Sequence, residues 1–253
     1  MSFSALVLAG TRAGGDPLAR QAGVPHKALI ELGGEPMLAR VVAALRESGA
    51  EQVAVSCDEG PVAQLARRLG CTVTPPAAGP SGSVAAAFDL LGAPLLVTTA
   101  DHALLRAAWV GELIAGTPAH SDVSLMLARR ETIEAAAPGS KRTYLRFADG
   151  HWSGCNLFLL QTPAAGRALA LWRQVEADRK RPWRIVARLG PGMLLAYLGG
   201  RLTLAAGIDR LAGKLGLRAT LVPASDGLAA VDVDKLSDLE AVRALLAREH
   251  GRD

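Results

Sequence analysis

Three groups of residues in this sequence have types and spacings suited to chemistry on phosphates. The first lies in "LVLAGTRAGGDPLARQAGVPHK" (6–27), where an apolar run meets Gly10, passes Gly14 and Gly15, and closes at Lys27. Backbone N–H groups of such a loop can wrap an anion, while Arg12 and Lys27 add fixed positive charge. A surface loop with solvated charges is the competing reading. The second group is acidic. Asp101 ends the apolar run "PLLVTTADH" (94–102), and Asp232 and Asp234 stand two apart in "VDVDKLSDL" (231–239). A carboxylate at the carboxyl end of a parallel strand is placed to hold Mg²⁺ against a triphosphate. A helix N-cap is the alternative use of Asp101. On a strand, Asp232 and Asp234 share one side, so both can approach one cation or both can face water. The third group, in "GSKRTYLRFADGHWSGCNLFLL" (139–160), brings Lys141, Arg142 and Arg146 near Asn156 in sequence. Cations here suit the phosphate of a second substrate, or belong to an exposed basic hairpin.

Two familiar phosphate loops do not fit the first group. In the Walker spacing from Gly10 to Gly15, Asp16-Pro17 stands where Lys-Ser is needed. A dinucleotide fingerprint fails because position 12 is Arg and the polar loop runs on past Pro25 instead of entering a helix. A separate stretch, "GPSGSV" (79–84), reads as a loop feeding a helix, whose N-terminus with Ser81 and Ser83 either holds an anion or is simply capped.

These groups need a frame, and the composition limits which one. The chain has 253 residues, 50% of them hydrophobic and only 4% aromatic, so its core is built from Leu, Val and Ala. That suits buried parallel strands covered by helices. Strand-like runs at Ala5–Ala9, Gln52–Ser56, Cys71–Thr74 and 94–102 alternate with helix-like stretches at Met37–Ser48, Pro61–Leu69 and 79–91. Such βαβ alternation predicts an α/β fold with a mostly parallel, doubly wound sheet and its sites at the strands' carboxyl ends. Further strands are expected at Val123–Ala128, Thr143–Phe147 and Ala219–Pro223, with a loop and strand over 153–163 and Ser237 capping a final helix. The chain reads as one domain over 1–253, with 139–218 as an insertion and helical cap. Within it, the apolar, Arg- and Lys-dotted residues 183–218 cover a sheet edge, form a homodimer contact, or touch a membrane interface.

The formal net charge of +4 is interspersed, so no nucleic-acid arm is expected. Cys57, Cys71 and Cys155 are scattered, which excludes a CxxC zinc site and suits a reducing cytoplasm. No leader peptide and no membrane-spanning run is expected.

"LVLAGTRAGG…PHKALIELGGEPML" resembles the signature of the MobA-like nucleotidyltransferases, with Leu8, Ala9, Gly10, Lys27 and Gly34–Met37 on the family pattern. Thr11 replaces the family's second glycine, and the loop is stretched, so either Arg12 or Arg20 stands for the family's arginine. The resemblance implies a Rossmann-like, three-layer α/β/α fold of the nucleotide-diphospho-sugar transferase type. It implies nucleotide contacts at Leu8, Ala9, Gly10, Thr11, Gly79, Ser81, Gly82 and Ser83, and catalytic roles for Lys27, Arg12 and Asp101. It also implies an Mg²⁺ site at Asp101 with Asp232 or Asp234, and acceptor contacts from Lys141, Arg142 and Asn156. The expected reaction joins a nucleotidyl unit from a nucleoside triphosphate, CTP favoured, to a phosphorylated small molecule, with release of pyrophosphate. Molybdenum-cofactor nucleotidyl transfer, a nucleotide-sugar glycosyltransferase and a non-catalytic nucleotide-binding protein are the alternatives.

Overall fold

The first strand, β1 (Phe3–Leu8), presents Ala5 and Val7 to one apolar core and Leu6 to another, as the two-residue period of a strand dictates. A strand apolar on both sides belongs inside a covered parallel sheet, and β1 takes that place. A computed structural model describes residues 1–11, 14–140, 142–177 and 190–250. After β1 come α1 (Pro17–Gln21), a 3-10 turn at Lys27–Leu29, a short hairpin of β2 (Glu31–Leu32) and β3 (Glu35–Pro36), and α2 (Met37–Glu47). Next are β4 (Ala50–Ser56), α3 (Pro61–Arg68), β5 (Thr72–Thr74), α4 (Pro80–Leu91), β6 (Leu95–Thr99) and α5 (Ala107–Ala115). The second half holds β7 (Val123–Arg129), α6 (Arg130–Ala136), β8 (Leu145–Phe147), β9 (Gly150–Leu160), α7 (Gly166–Ala177), α8 (Pro191–Leu198) and α9 (Leu204–Gly213). The last elements are β10 (Ala219–Pro223), a 3-10 turn at Gly227–Ala230 and α10 (Leu236–His250).

The main sheet runs β10-β7-β9-β6-β1-β4-β5, with β8 added on β9. β1 is parallel to both β4 and β6, and β9 is antiparallel to β6 and β7. The chain lays down β1, β4 and β5 in one direction and then returns to set β6 on the other side of β1. At such a reversal an open α/β sheet leaves a crevice beyond its carboxyl ends. Leu8 pairs with Thr99, so the glycine loop after β1 and Asp101 after β6 leave the sheet side by side.

Helices cover both faces, giving three layers. On α2, Leu38, Val41, Val42 and Leu45 recur at helical spacing and are buried in the larger core with Val62, Trp109, Leu113, Leu239 and Val242. Val84, Ala87 and Phe88 of α4 and Leu169 of α7 close the opposite face. The fold is thus the α/β, mostly parallel architecture that the alternation predicts.

Three local expectations are corrected. Residues 231–234 form no strand; they are extended chain in which Val231 and Val233 are buried, with Val233 N donating to the Asp101 carbonyl at 2.9 Å. Ser237 does not cap the last helix but lies inside it. Asp238 accepts from the N–H groups of Asp234 and Lys235, at 3.3 Å each, and does the capping. The stretch from Gly150 is one 11-residue strand, not a loop and a strand.

Residues 183–189 of the apolar segment lie outside the described residues. Beyond them, Met193 of α8, Leu204 of α9 and Leu202 between the two helices pack against the β8–β9 hairpin. No helix among the described residues is long and apolar enough to cross a membrane.

The turn that precedes Asp232 depends on Gly227. A Cβ there would lie 2.2 Å from the carbonyl oxygen of Thr132 in α6, so only glycine lets the turn lie against that helix. Gly227→Ala should destabilise by about 1–3 kcal/mol through this overlap, each kcal/mol being worth roughly 2–4 °C in a chain of this size. An unchanged melting temperature would contradict the packing described.

Candidate active site

Lys27 reaches the crevice from a turn that its neighbour caps. The Nδ1 atom of buried His26 accepts from Ala28 N at 3.0 Å and starts the 3-10 turn carrying Lys27. Burial holds the His26 pKa below the usual histidine value, which preserves the neutral ring that can accept at Nδ1. From there Lys27 Nζ lies 2.5 Å from Asp101 Oδ2 and 2.7 Å from Asp234 Oδ1. Burial alone would lower the lysine's pKa, but Asp101 and Asp234 outweigh it and raise the pKa above the ordinary value. The ammonium is therefore fully charged at neutral pH.

Asp101 follows β6 and is buried. Its Oδ2 receives Lys27, while Oδ1 is buried without a hydrogen-bond partner among the described residues. The next residue, His102, is a core residue: its ring stacks on Trp109 and its Nδ1 lies 3.3 Å from Thr98 Oγ1. Burial pushes its pKa down to about 4.

Asp232 has other partners. Arg142 donates to its Oδ1 and to its backbone carbonyl, and Asn156 Nδ2 donates to Oδ2 at 3.0 Å. Asn156 reaches it from a bulge: β9 pairs Phe158 with Leu125 and Gly154 with Leu127, so three residues oppose Met126 alone. Asn156 takes φ 48°, a left-handed conformation that Asn tolerates better than most residues. Burial raises the Asp232 pKa, with Arg142 pulling in the opposite direction. Cys155 beside Asn156 is buried, its pKa pushed up to about 12, which suits packing and not nucleophilic attack.

Of the remaining expected residues, Leu8 ends β1 and Ala9 follows it, both against the cores, and Gly10 and Thr11 are exposed just beyond. A Cβ on Gly10 would sit 3.6 Å from Pro76, so the glycine loop touches the segment that leads to α4. In that segment Gly79 is the N-cap at φ 114°, a conformation open to glycine. Ser83 accepts from Ala77 N at 2.9 Å, so its hydroxyl holds the loop's shape. Gly82 packs close to Ala77, and Ser81 is buried. Thr11 N points to Asp58 Oδ2 at 3.4 Å, beside a cavity of about 90 Å³ also lined by His26 and Glu59. Arg20 donates to the Gly14 carbonyl at 2.9 Å. Arg12 and Lys141 lie outside the described residues. Arg142, Asn156, Lys27 and the three aspartates thus converge, drawn from residues as far apart as 27 and 234. Asp58 is the polar group at the loop that the sequence patterns did not single out, because no motif surrounds it.

Residues 5–226 match the MobA-like NTP transferase domain. The chain belongs to that family. A hypothetical transferase from Thermus thermophilus is 32% identical, with 94% of this chain and 100% of that one covered and a TM-score of 0.79. The fold is also similar to that of a CMP:2-keto-3-deoxy-manno-octonic acid synthetase complexed with CTP, at 18% identity and TM-score 0.60, over 98% of this chain and 100% of the other. The CTP:phosphocholine cytidylyltransferase of Streptococcus pneumoniae shares it at 12% identity and TM-score 0.58, over 97% and 100%. As a MobA-like NTP transferase the protein is a nucleotidyltransferase.

Within this transferase, one ligand atom from each of Asp101, Asp232 and Asp234 lies within 4.8 Å of the others. Three carboxylates, one with an unpartnered buried oxygen, suit a hard divalent cation. Lys27 bridges Asp101 and Asp234, whereas Asp232 is engaged by Arg142 and Asn156.

Removing Arg142 would leave Asp232, half-buried, beside two other acids. Arg142→Met should cost about 1–3 kcal/mol at pH 7.5, as loss of a hydrogen-bond partner from a partly buried group does. A buried carboxyl with a raised pKa is best tolerated when protonated, so the deficit should shrink as pH falls toward 5. Denaturant midpoints for both proteins at the two pH values test this; an equal deficit at both would contradict it.

Proposed function

We propose that this protein is an Mg²⁺-dependent cytidylyltransferase that takes the nucleotidyl unit of CTP onto a phosphorylated small molecule and releases pyrophosphate. The observation that carries this reading is the convergence of Lys27, Asp101, Asp234 and the Asp232–Arg142–Asn156 group beside the glycine loop, at the sheet's reversal. An oxygen of the acceptor's phosphate forms a bond to the α-phosphorus, and the bond from that phosphorus to the bridging oxygen breaks, the electron pair leaving on pyrophosphate. No protein nucleophile is needed; positioning and neutralisation of charge lower the barrier.

The glycine loop, with Arg12, holds the triphosphate, and Gly79–Ser83 supports the nucleoside. Lys27 supplies positive charge at the α-phosphate as the bridging bond breaks. Asp101 and Asp234 would hold Mg²⁺, whose charge would help to neutralise the triphosphate. Asp232 sets the positions of Arg142 and Asn156 toward the acceptor, which Lys141 joins. Asp58 favours a base with an amino group, which cytosine carries and uracil lacks. The Asp58 carboxylate and the CTP-bound structural relative support CTP. A phosphorylated alcohol or headgroup is the acceptor class, supported by the apolar cover of α8, where Leu195 and Leu198 are exposed.

Pyrophosphate release with ATP, GTP, CTP and UTP in turn, with Mg²⁺ and pooled phosphorylated alcohols, sugars and headgroups, tests the reading. Release is expected with CTP alone and only when acceptor is present, and Asp101→Asn should abolish it. Lys27→Ala should lower turnover by roughly 10²–10³-fold, the scale for losing one charge-stabilising group, while nucleotide binding stays measurable. Undiminished turnover in Lys27→Ala would overturn the role given to that lysine.

A further inference from the structure

The acid cluster already holds a cation that belongs to the chain. Lys27 Nζ sits between Asp101 Oδ2 and Asp234 Oδ1, at 2.5 and 2.7 Å, and is largely enclosed there. These are oxygens that a hard divalent ion would take, at comparable or shorter distances. Arg142 is occupied with Asp232, so three carboxylates face two fixed positive charges and the cluster keeps a single net negative charge. Without Lys27 it would keep two.

We propose that Lys27 is an internal counter-ion that keeps a divalent metal out of the cluster until a triphosphate draws its ammonium away, so that metal and nucleotide load together. This rests on the reading of the crevice as a nucleoside triphosphate site. The argument is one of competition. An ammonium and a divalent ion repel each other and cannot share the same two carboxylate oxygens. A buried ammonium leaves one anion only for another, and the glycine loop next to it is where a triphosphate would supply the replacement. Asp101 Oδ1, buried and without a donor among the described residues, is then an oxygen left available to the incoming ion. Such coupling is reciprocal: triphosphate tightens metal binding by the factor by which metal tightens triphosphate binding.

The test uses Mn²⁺ alone, without nucleotide, read as the loss of the free-ion electron paramagnetic resonance signal. Lys27→Gln should bind Mn²⁺ at least tenfold more tightly than the wild type, whereas Lys27→Arg, which retains the charge, should bind as weakly as the wild type. Equal Mn²⁺ affinity in wild type and Lys27→Gln, whether tight or undetectable in both, would overturn the counter-ion role. Circular dichroism and melting curves establish that the variant is folded. The wild type gives an independent reading by ¹⁵N resonance of Lys27 Nζ. Millimolar Mg²⁺ alone should leave that resonance in place, and Mg²⁺ with a non-hydrolysable CTP analogue should move it. Movement with Mg²⁺ alone would also overturn the proposal. Calorimetric titration of the analogue into metal-free wild type separates the two ideas. No binding would refute the triphosphate reading, and with it displacement by nucleotide, whereas binding with equal Mn²⁺ affinities would refute only the counter-ion.

Discussion

The ammonium of Lys27, shared between Asp101 and Asp234, joins the turn after the glycine loop, the end of β6 and the segment before the last helix. Three acids brought this close would repel one another strongly in a partly buried crevice. Without a cation among them the ends of these segments would spread. The arrangement therefore needs a positive charge at all times, and the chain supplies its own. That requirement explains why lysine, a compact charge on a flexible stem that can change partners, suits this position better than a planar guanidinium.

The fold serves this point of convergence by fixing backbones and leaving side chains to adjust. Pairing of Leu8 with Thr99 sets the glycine loop beside Asp101, and the bond from Val233 N to the Asp101 carbonyl sets Asp232 and Asp234 on either side of an anchored residue. Burial of Val231 and Val233 turns Asp232 and Asp234, which alternate with them, to the opposite side of the chain. On the far side, the bulge in β9 turns Asn156 toward Asp232, which Arg142 also grips. The two acids of "VDVD" thereby have different surroundings: Asp234 is exposed and shares the Lys27 ammonium, while Asp232 is held by Arg142 and Asn156.

Much of this was legible in the sequence where a period or a residue type decides the outcome. The apolar runs of β1 and β6 and the helical spacing in α2 gave the parallel sheet, and a carboxylate ending β6 gave the cation-facing acid. The alternation in "VDVD" placed both acids on one side even though the segment is not a strand, because an extended backbone has the same period. What the sequence could not show depends on contacts between distant residues. A bulge leaves no pattern, so the bond from Asn156 to Asp232 was hidden, and so was the difference between Asp232 and Asp234. The cap of α10 fell to Asp238 instead of Ser237 because a longer side chain from within the first turn reached the free N–H groups. Arg12 and Lys141 lie outside the described residues, and their roles rest on the resemblance and on the charge they carry.

The most direct measurement is a crystal structure of the protein with Mn²⁺ and a non-hydrolysable CTP analogue, read by anomalous scattering. The account predicts a manganese peak against Asp101 and Asp234, with Lys27 Nζ moved from both carboxylates onto a phosphate oxygen. A triphosphate bound in the crevice while Lys27 still bridges Asp101 and Asp234, with the metal elsewhere, would contradict it.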